Sequence, residues 1–305
     1  MPYAPFQAFR TLTLCLLPLF FMHSCLPDEP KNPLLKGIGS YVFTPRAPLD
    51  QRPLSIHYFV PDQFHSGTPV LMLFHGNERN AMAYRDALID KARAKQVLLI
   101  APEFSETHYP GNNAYHLGGM FVDGEKSASS PLLPSSEWTF SLPDQIYSDV
   151  RAKNALDRGG YSAIGHSAGA QFLHRYLMFW PESEAKNSVI SAAGWYNLPD
   201  TAWAFPHGLK YSPFSEVLIA NFLRKEIHLQ IGTNDNNPNS SSLRHDSLTD
   251  LQGLNRLTRA RYYRQQIESA CDQRALSMVL TYKELPGFDH SFEPAIEEAF
   301  DFLFP

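Results

Sequence analysis

Cysteine is scarce in this chain, with three residues in 305, at positions 15, 25 and 271. Two fall near the N-terminus, so the body of the chain carries a single thiol and cannot close an internal disulfide. A lone thiol in a folded domain is ordinarily a small buried apolar group. Positive charge is not in excess either. With 26 Lys and Arg against 31 Asp and Glu, the net charge is −5. That balance leaves no electrostatic footprint for nucleic acid. No His and Cys stand at metal-ligand spacing, and no Gly-rich stretch ends in the Lys-Ser/Thr of a phosphate loop. Internal repeats and low-complexity tracts are missing. The apolar run at 11–22, TLTLCLLPLFFM, is too short to span a bilayer.

What the chain does have is apolar and aromatic content. It is 44% hydrophobic, with 21 Phe and 14 Tyr, enough core for one large domain or two small ones. The 24 Pro point to many ordered loops. At the N-terminus, Arg10 precedes the apolar run, which ends at Met22-His23-Ser24-Cys25. This has the shape of a signal-peptide core. The small residue before Cys25 resembles the lipobox of bacterial lipoproteins, where the cysteine is lipidated and becomes the new N-terminus. The resemblance implies an exported protein anchored to a bacterial membrane through Cys25, facing the periplasm or cell surface. Plain secretion and an uncleaved anchor are the alternatives. The stretch LPDEPKNPL that follows reads as a short tether.

Short apolar runs then alternate with helical patterns, which argues for a parallel α/β sheet. Strands are expected at 54–60, 70–74, 97–101, 161–165, 189–193, 227–231 and 279–285. Helices are expected at 80–95, 143–157, 168–179, 213–225, 254–273 and 291–303. Two irregular stretches, 103–142 and 197–211, interrupt the alternation. Long loops of this kind inside a compact domain are usually functional or disordered. Their aromatic residues argue for order, and Tyr115, His116 and Trp138 are candidates for a lid, against simple packing within the loop.

Four short motifs carry chemistry. In Gly165-His166-Ser167-Ala168-Gly169, between an expected strand and an expected helix, the glycines permit a strained turn. Such a turn presents the hydroxyl of Ser167 and the N–H of Ala168 at the top of the sheet. Asp235 lies just past the strand IHLQI, in Gly232-Thr233-Asn234-Asp235. His290 lies in Gly287-Phe288-Asp289-His290, before the last helix. Ser, acid and His in that chain order suit a nucleophile, an orienting carboxylate and a general base. Asp246 and Asp250 are weaker candidates for the acid. In His75-Gly76-Asn77 the N–H of Asn77 is the candidate second oxyanion donor, and Glu78 or Arg79 is placed to contact substrate. The Asp-Asn-Asn-Pro-Asn run at 235–239 hints at a calcium loop without the full ligand spacing.

Together HGN at 75–77, GHSAG at 165–169, GTND at 232–235 and GFDH at 287–290 resemble the α/β-hydrolase superfamily over about residues 54–305. They look most like its poly(3-hydroxybutyrate) depolymerase and feruloyl esterase branch. The chain departs from that branch in lacking Cys pairs and an evident substrate-binding module. The resemblance implies an α/β-hydrolase fold with a mostly parallel sheet, helices on both faces and loop or lid insertions at the C-terminal strand ends. The expected division is a lipoprotein-type signal peptide at 1–25, a tether at 26–40 and a catalytic domain at 41–305. The implied activity is carboxylic-ester hydrolysis by Ser167, Asp235 and His290, on small or polysaccharide-linked esters, without cofactor or metal. A serine peptidase or acyltransferase on the same triad is one alternative, and a non-catalytic surface binding lipoprotein is another. His166, Trp195, Tyr196 and Glu78 are the pocket candidates; a buried core pair is the other reading of Trp195 and Tyr196. Arg256, Arg259, Arg261 and Arg264 read as a solvated helix face, or else Arg256 or Arg259 binds a substrate carboxylate.

Overall fold

A computed structural model describes residues 1–2, 33–157 and 159–305. The expected signal segment, Cys25 and most of the tether lie outside the described residues. The strands are β1 (Gly37–Phe43), β2 (Leu54–Val60), β3 (Val70–Phe74), β4 (Leu98–Glu103), β5 (Tyr161–His166), β6 (Ala185–Ser191), β7 (Glu226–Gly232) and β8 (Thr281–Leu285). They form one sheet in the order β1-β2-β4-β3-β5-β6-β7-β8. β2 pairs antiparallel with β1 and with β4, and β4, β3 and β5 to β8 run parallel.

The helices are α1 (Ala81–Ala87), α2 (Ile89–Lys95), α3 (Gly111–Ala114), α4 (Leu142–Asn154), α5 (Ala168–Phe179), α6 (Glu216–Leu223), α7 (Thr249–Gln252), α8 (Arg256–Asp272) and α9 (Phe292–Leu303). Both faces of the sheet are covered, which is why β3 reads as an unbroken apolar run. Leu71 and Leu73 pack with Ala81, Leu88, Ala92, Ile296 and Phe300, under α1, α2 and α9. Their neighbours Val70, Met72 and Phe74 point the other way, into the core that α4, α5, α6 and α8 complete. A parallel sheet brings all C-terminal strand ends to one edge, where open α/β sheets bind ligands. The residues that follow β3, β5, β7 and β8 are therefore delivered to that edge.

Two expectations are corrected and a third is met. β1 begins at Gly37, inside the stretch read as tether, and pairs along its length with β2. The helix expected at 80–95 is two helices, broken at Leu88, whose backbone leaves the helical range at φ −106° and ψ 1°. The loop from 104 to 141 is ordered: Tyr109, Tyr115 and Phe121 are buried in the main core. No helix among the described residues is long and apolar enough to cross a membrane.

Candidate active site

Ser167 stands between β5 and α5, with its backbone at φ 55° and ψ −115°. A non-glycine residue there is strained by about 1–3 kcal/mol, which surrounding structure must offset. The glycines on either side make the turn sterically feasible. A Cβ on Gly165 would come within 2.4 Å of the Gly169 carbonyl oxygen, and one on Gly169 within 2.0 Å of the Phe74 oxygen. Only bare Cα atoms let α5 start this close to β3 and β5. The Ser167 N–H donates to the Ser191 carbonyl at 2.9 Å, which ties the turn to β6.

His290 and Asp235 meet Ser167 in a hydrogen-bonded row. His290 Nε2 lies 3.0 Å from Ser167 Oγ, and His290 Nδ1 lies 2.6 Å from Asp235 Oδ2. A carboxylate accepts only, so Nδ1 carries the proton and Nε2 faces the hydroxyl as an acceptor. Asp235 is buried, while Ser167 and His290 are partly open to solvent. The loops carrying the acid and the His are laced together: Asn234 N–H donates to the Phe288 carbonyl, and Gly287 N–H to Thr233 Oγ1. Asp246 and Asp250 belong elsewhere. Asp246 pairs with Arg244, and Asp250 pairs with Arg259 and His245.

The loop after β3 passes beside Ser167. A Cβ on Gly76 would stand 3.8 Å from Ser167 Cβ, which places Asn77 next to the reacting hydroxyl. His75 fixes this loop from below. Its Nε2 accepts the Phe104 N–H at 3.0 Å, so its Nδ1–H donates to the Gly76 carbonyl at 2.8 Å. Burial pushes the His75 pKa down to about 3, which keeps that single tautomer at neutral pH. Tyr84 OH accepts the Gly76 N–H at 3.0 Å, and Tyr115 OH donates to the His75 carbonyl at 2.8 Å. Ala168 opens α5, and first-turn N–H groups have no helical carbonyl to bond. Asn77 is exposed and Ala168 is buried.

The pocket candidates fare differently. His166 is buried behind His290, not in front of it. Its Nε2 lies 3.2 Å from the His290 carbonyl and its Nδ1 3.2 Å from Ser191 Oγ. Burial, with His290 nearby, pushes its pKa down to about 3. Trp195 and Tyr196 are 2% and 0% exposed. The guanidinium groups of Arg175 and Arg244 both lie over the Trp195 ring, which stacks on His207. Tyr196 stacks on Tyr263. Both belong to the core beneath the site. Glu78 is exposed beside Asn77, as a substrate contact would be. Arg79 instead holds the Phe104 and Gly111 carbonyls. Tyr115, His116 and Trp138 are buried, and Tyr115 packs on His75 and Phe172.

Two arginines are neither solvated nor free for substrate. Arg256 is 1% exposed and Arg259 0%. Arg259 donates to the Gly253, Gly194 and Arg244 carbonyls and to Asp250, and Arg256 pairs with Asp235. Arg261 does lie outside, on Glu284. Among the described residues no group of three or more His, Cys, Asp or Glu is placed to hold a metal ion.

Solved structures with the same arrangement of chain decide the family. Poly(aspartic acid) hydrolase-1 of Sphingomonas sp. KT-1 is 30% identical over 89% of this chain and 100% of that one, with a TM-score of 0.84. The chain belongs to the α/β-hydrolase superfamily. The poly(3-hydroxybutyrate) depolymerase LpqC of Bordetella parapertussis is 27% identical over 88% of this chain and 91% of that one, with a TM-score of 0.82. An IroE-like serine hydrolase of Shewanella oneidensis shares the fold alone, at 12% identity over 88% of this chain and 80% of that one and a TM-score of 0.54. No protein-family model matches the sequence, and no curated protein does. The enzyme class is that of a carboxylesterase-like serine hydrolase.

Proposed function

We propose that this hydrolase cleaves carboxylic esters through Ser167, His290 and Asp235. The observation that carries the reading is the continuous row from Ser167 Oγ through both ring nitrogens of His290 to Asp235. As Oγ attacks the ester carbonyl, His290 Nε2 takes its proton. Asp235 holds the tautomer and stabilises the imidazolium that forms. The N–H groups of Ala168 and Asn77 receive the oxyanion; one such donor is worth roughly 3 kcal/mol in the transition state. Collapse of the tetrahedral species expels the alcohol, which takes the proton from His290. Water then repeats the sequence on the acyl-enzyme and frees the acid. No step calls for a cofactor. The substrate is a small or carbohydrate-linked ester outside the cytoplasm, met by a protein exported and anchored through Cys25.

A second reading is favoured by one observation. The 30% identical structure is named for hydrolysis of poly(aspartic acid), an amide-linked polymer, whereas LpqC is named for a polyester. The row of Ser, His and Asp serves either bond. Matched p-nitrophenyl esters and p-nitroanilides of the same acyl groups, N-acyl aspartate among them, separate the two. The test of the reading itself is intact-mass spectrometry after treatment with a fluorophosphonate. Wild type gains one adduct, mapped to Ser167; Ser167→Ala and His290→Ala gain none. A folded wild type that takes up no adduct sinks the proposal and favours a binding protein without catalysis.

A further inference from the structure

The carboxylate of Asp235 has two oxygens, and only one of them faces His290. Oδ2 receives the Nδ1–H of His290 at 2.6 Å, while Oδ1 lies 3.3 Å from Nη1 of Arg256. Both members of this ion pair are shielded from water, with side-chain exposures of 2% and 6%. Hydroxyl groups of the loop between β7 and α7 anchor the two terminal nitrogens of the guanidinium, while the buried Nε has no hydrogen-bond partner among the described residues. Nη2 donates to Ser242 Oγ at 2.9 Å, and Nη1 lies 3.5 Å from Ser240 Oγ. The main chain repeats the link, because the Leu257 N–H donates to the backbone carbonyl of Asp235 at 3.1 Å. The first turn of α8 therefore grips the acid twice, once by backbone and once by side chain.

Arg256 stands where a cation is least welcome. It is the first residue of α8, directly after the N-cap Asn255. The N-terminus of a helix carries the positive end of its dipole and favours Asp or Glu. Burying a guanidinium adds a desolvation cost that only close pairing offsets. Among the described residues Asp235 is the one carboxylate within ion-pair distance of Arg256. The two costs are thus met by a single contact, and that contact is with the acid of the proposed triad.

We propose that Arg256 is a positioning residue for the reaction. It fixes the Asp235 carboxylate so that Oδ2 aims at His290 Nδ1, and its charge sets how tightly the His290–Asp235 pair holds a proton. This inference rests on the triad reading above. The groups facing His290 come from four places. Asp235 follows β7, Arg256 comes from α8, and His166 ends β5 with its ring 5.0 Å from that of His290. Asp289 precedes His290 in its own loop and accepts the Ser291 N–H. His166 is neutral at ordinary pH, held so by burial. Arg256 is then the one cation in the set. Without it, the Asp235 carboxylate beside His290 has no cation paired with it, and loss of a neighbouring charge is expected to move the acid limb of activity upward. The carboxylate also loses the donor that fixes its plane.

The experiment is the second-order rate of fluorophosphonate labelling of the full chain, followed by intact mass from pH 5 to 9. Wild type, Arg256→Met and Arg256→Lys are compared, with thermal melting to show that each is folded. For Arg256→Met the acid limb of the rate profile moves up by about one pH unit, the low end of what a neighbouring charge does. At pH 7 the rate falls at least tenfold. Arg256→Lys keeps the charge, so its limb stays within a few tenths of a unit of wild type. Its rate falls by about threefold to tenfold, because a single ammonium lacks the planar fork that reaches Asp235 and Ser242 together. An Arg256→Met limb that coincides with wild type, whatever the rate, reduces Arg256 to a structural part and overturns the inference alone. Should Arg256→Met not fold, Arg256→Lys decides: labelling at the wild-type rate overturns the positioning role. A folded wild type that does not label at any pH overturns the triad reading and this inference with it.

Discussion

Ser167 is the point at which backbone strain and chemistry coincide. Its positive φ aims Oγ away from the sheet and toward His290, and the conformation persists because Gly169 lets the chain turn against β3. Gly169→Ala tests that account. The added Cβ would meet the Phe74 backbone at 2.0 Å, and a main-chain carbonyl cannot swing aside as a flexible side chain can. Overpacking of this kind costs about 1–3 kcal/mol. Here it also pushes α5 from the loop that carries Gly76 and Asn77. The expected outcome is a lower melting temperature together with loss of most fluorophosphonate labelling. Labelling at the wild-type rate would show that the close approach of α5 to β3 does not position the nucleophile. The meeting of Ser167, His290 and Asp235 in one hydrogen-bonded row was legible in the sequence because each sits in a Gly-marked turn after a strand. The second-layer residues were not. His166 and Trp195 neighbour the motifs in sequence, but their burial is decided by His290, Arg175 and Arg244, which come from distant segments. One signal for Arg256 was present and unread: an arginine at a helix start opposes the dipole and calls for a partner.

Helix α5 was legible to both ends, and the reason is local. Gly and Ser punctuate its start, and its apolar residues recur as far as Phe179, around Gln171, His174 and Arg175. At the same scale β1 was missed, because GIGSYVF mixes Gly and Ser among its apolar residues and leaves Ile38 and Val42 exposed at the sheet edge. The break at Leu88 had no Gly or Pro to announce it; Leu88 leaves the helical range as a fully buried residue packed under α9. The polarity of α8 gave no clear stripe, so the face covered by the 233–253 loop looked like surface. Packing on α5 supplies the prediction at this scale. The Phe172 ring contacts Phe74, Phe104, Tyr115 and Phe140 at centroid distances of 5.1, 5.3, 5.4 and 5.4 Å. It joins the long loop to the sheet directly beneath the site. Phe172→Ala removes the centre of that cluster and is expected to cost about 3–5 kcal/mol, the usual range for a buried Phe. Urea unfolding monitored by far-UV circular dichroism measures it. A loss below about 1 kcal/mol would mean that the loop repacks freely and is not an integral part of the core.

Across the whole molecule the buried histidines link stability to pH. Burial pushes the pKa of His75 and of His166 down to about 3, and that of His207 and of His228 down to about 4. His116 and His174 are pushed well below their ordinary value for the same reason. In the unfolded chain each returns to about 6.5. A group whose folded pKa is depressed contributes stability that is fully present above the unfolded value and is lost as pH falls toward the folded one. The window therefore opens near pH 6.5 and extends down to about 3–4. Asp144 and Glu184 work in the opposite sense, since burial raises their pKa values, but they are two groups against six and act near the carboxylate range. At pH 5 the four histidines with pKa values near 3 and 4 are expected to give the unfolded chain roughly three to four more bound protons than the folded one. Urea unfolding at pH 7, 6 and 5 measures this directly, because the slope of unfolding free energy against pH gives the proton difference. Two of these histidines brace the loops around Ser167, so those loops should open at low pH before bulk secondary structure is lost. A stability that is flat or rises between pH 6.5 and 5 would show that the histidines are not held neutral by the fold.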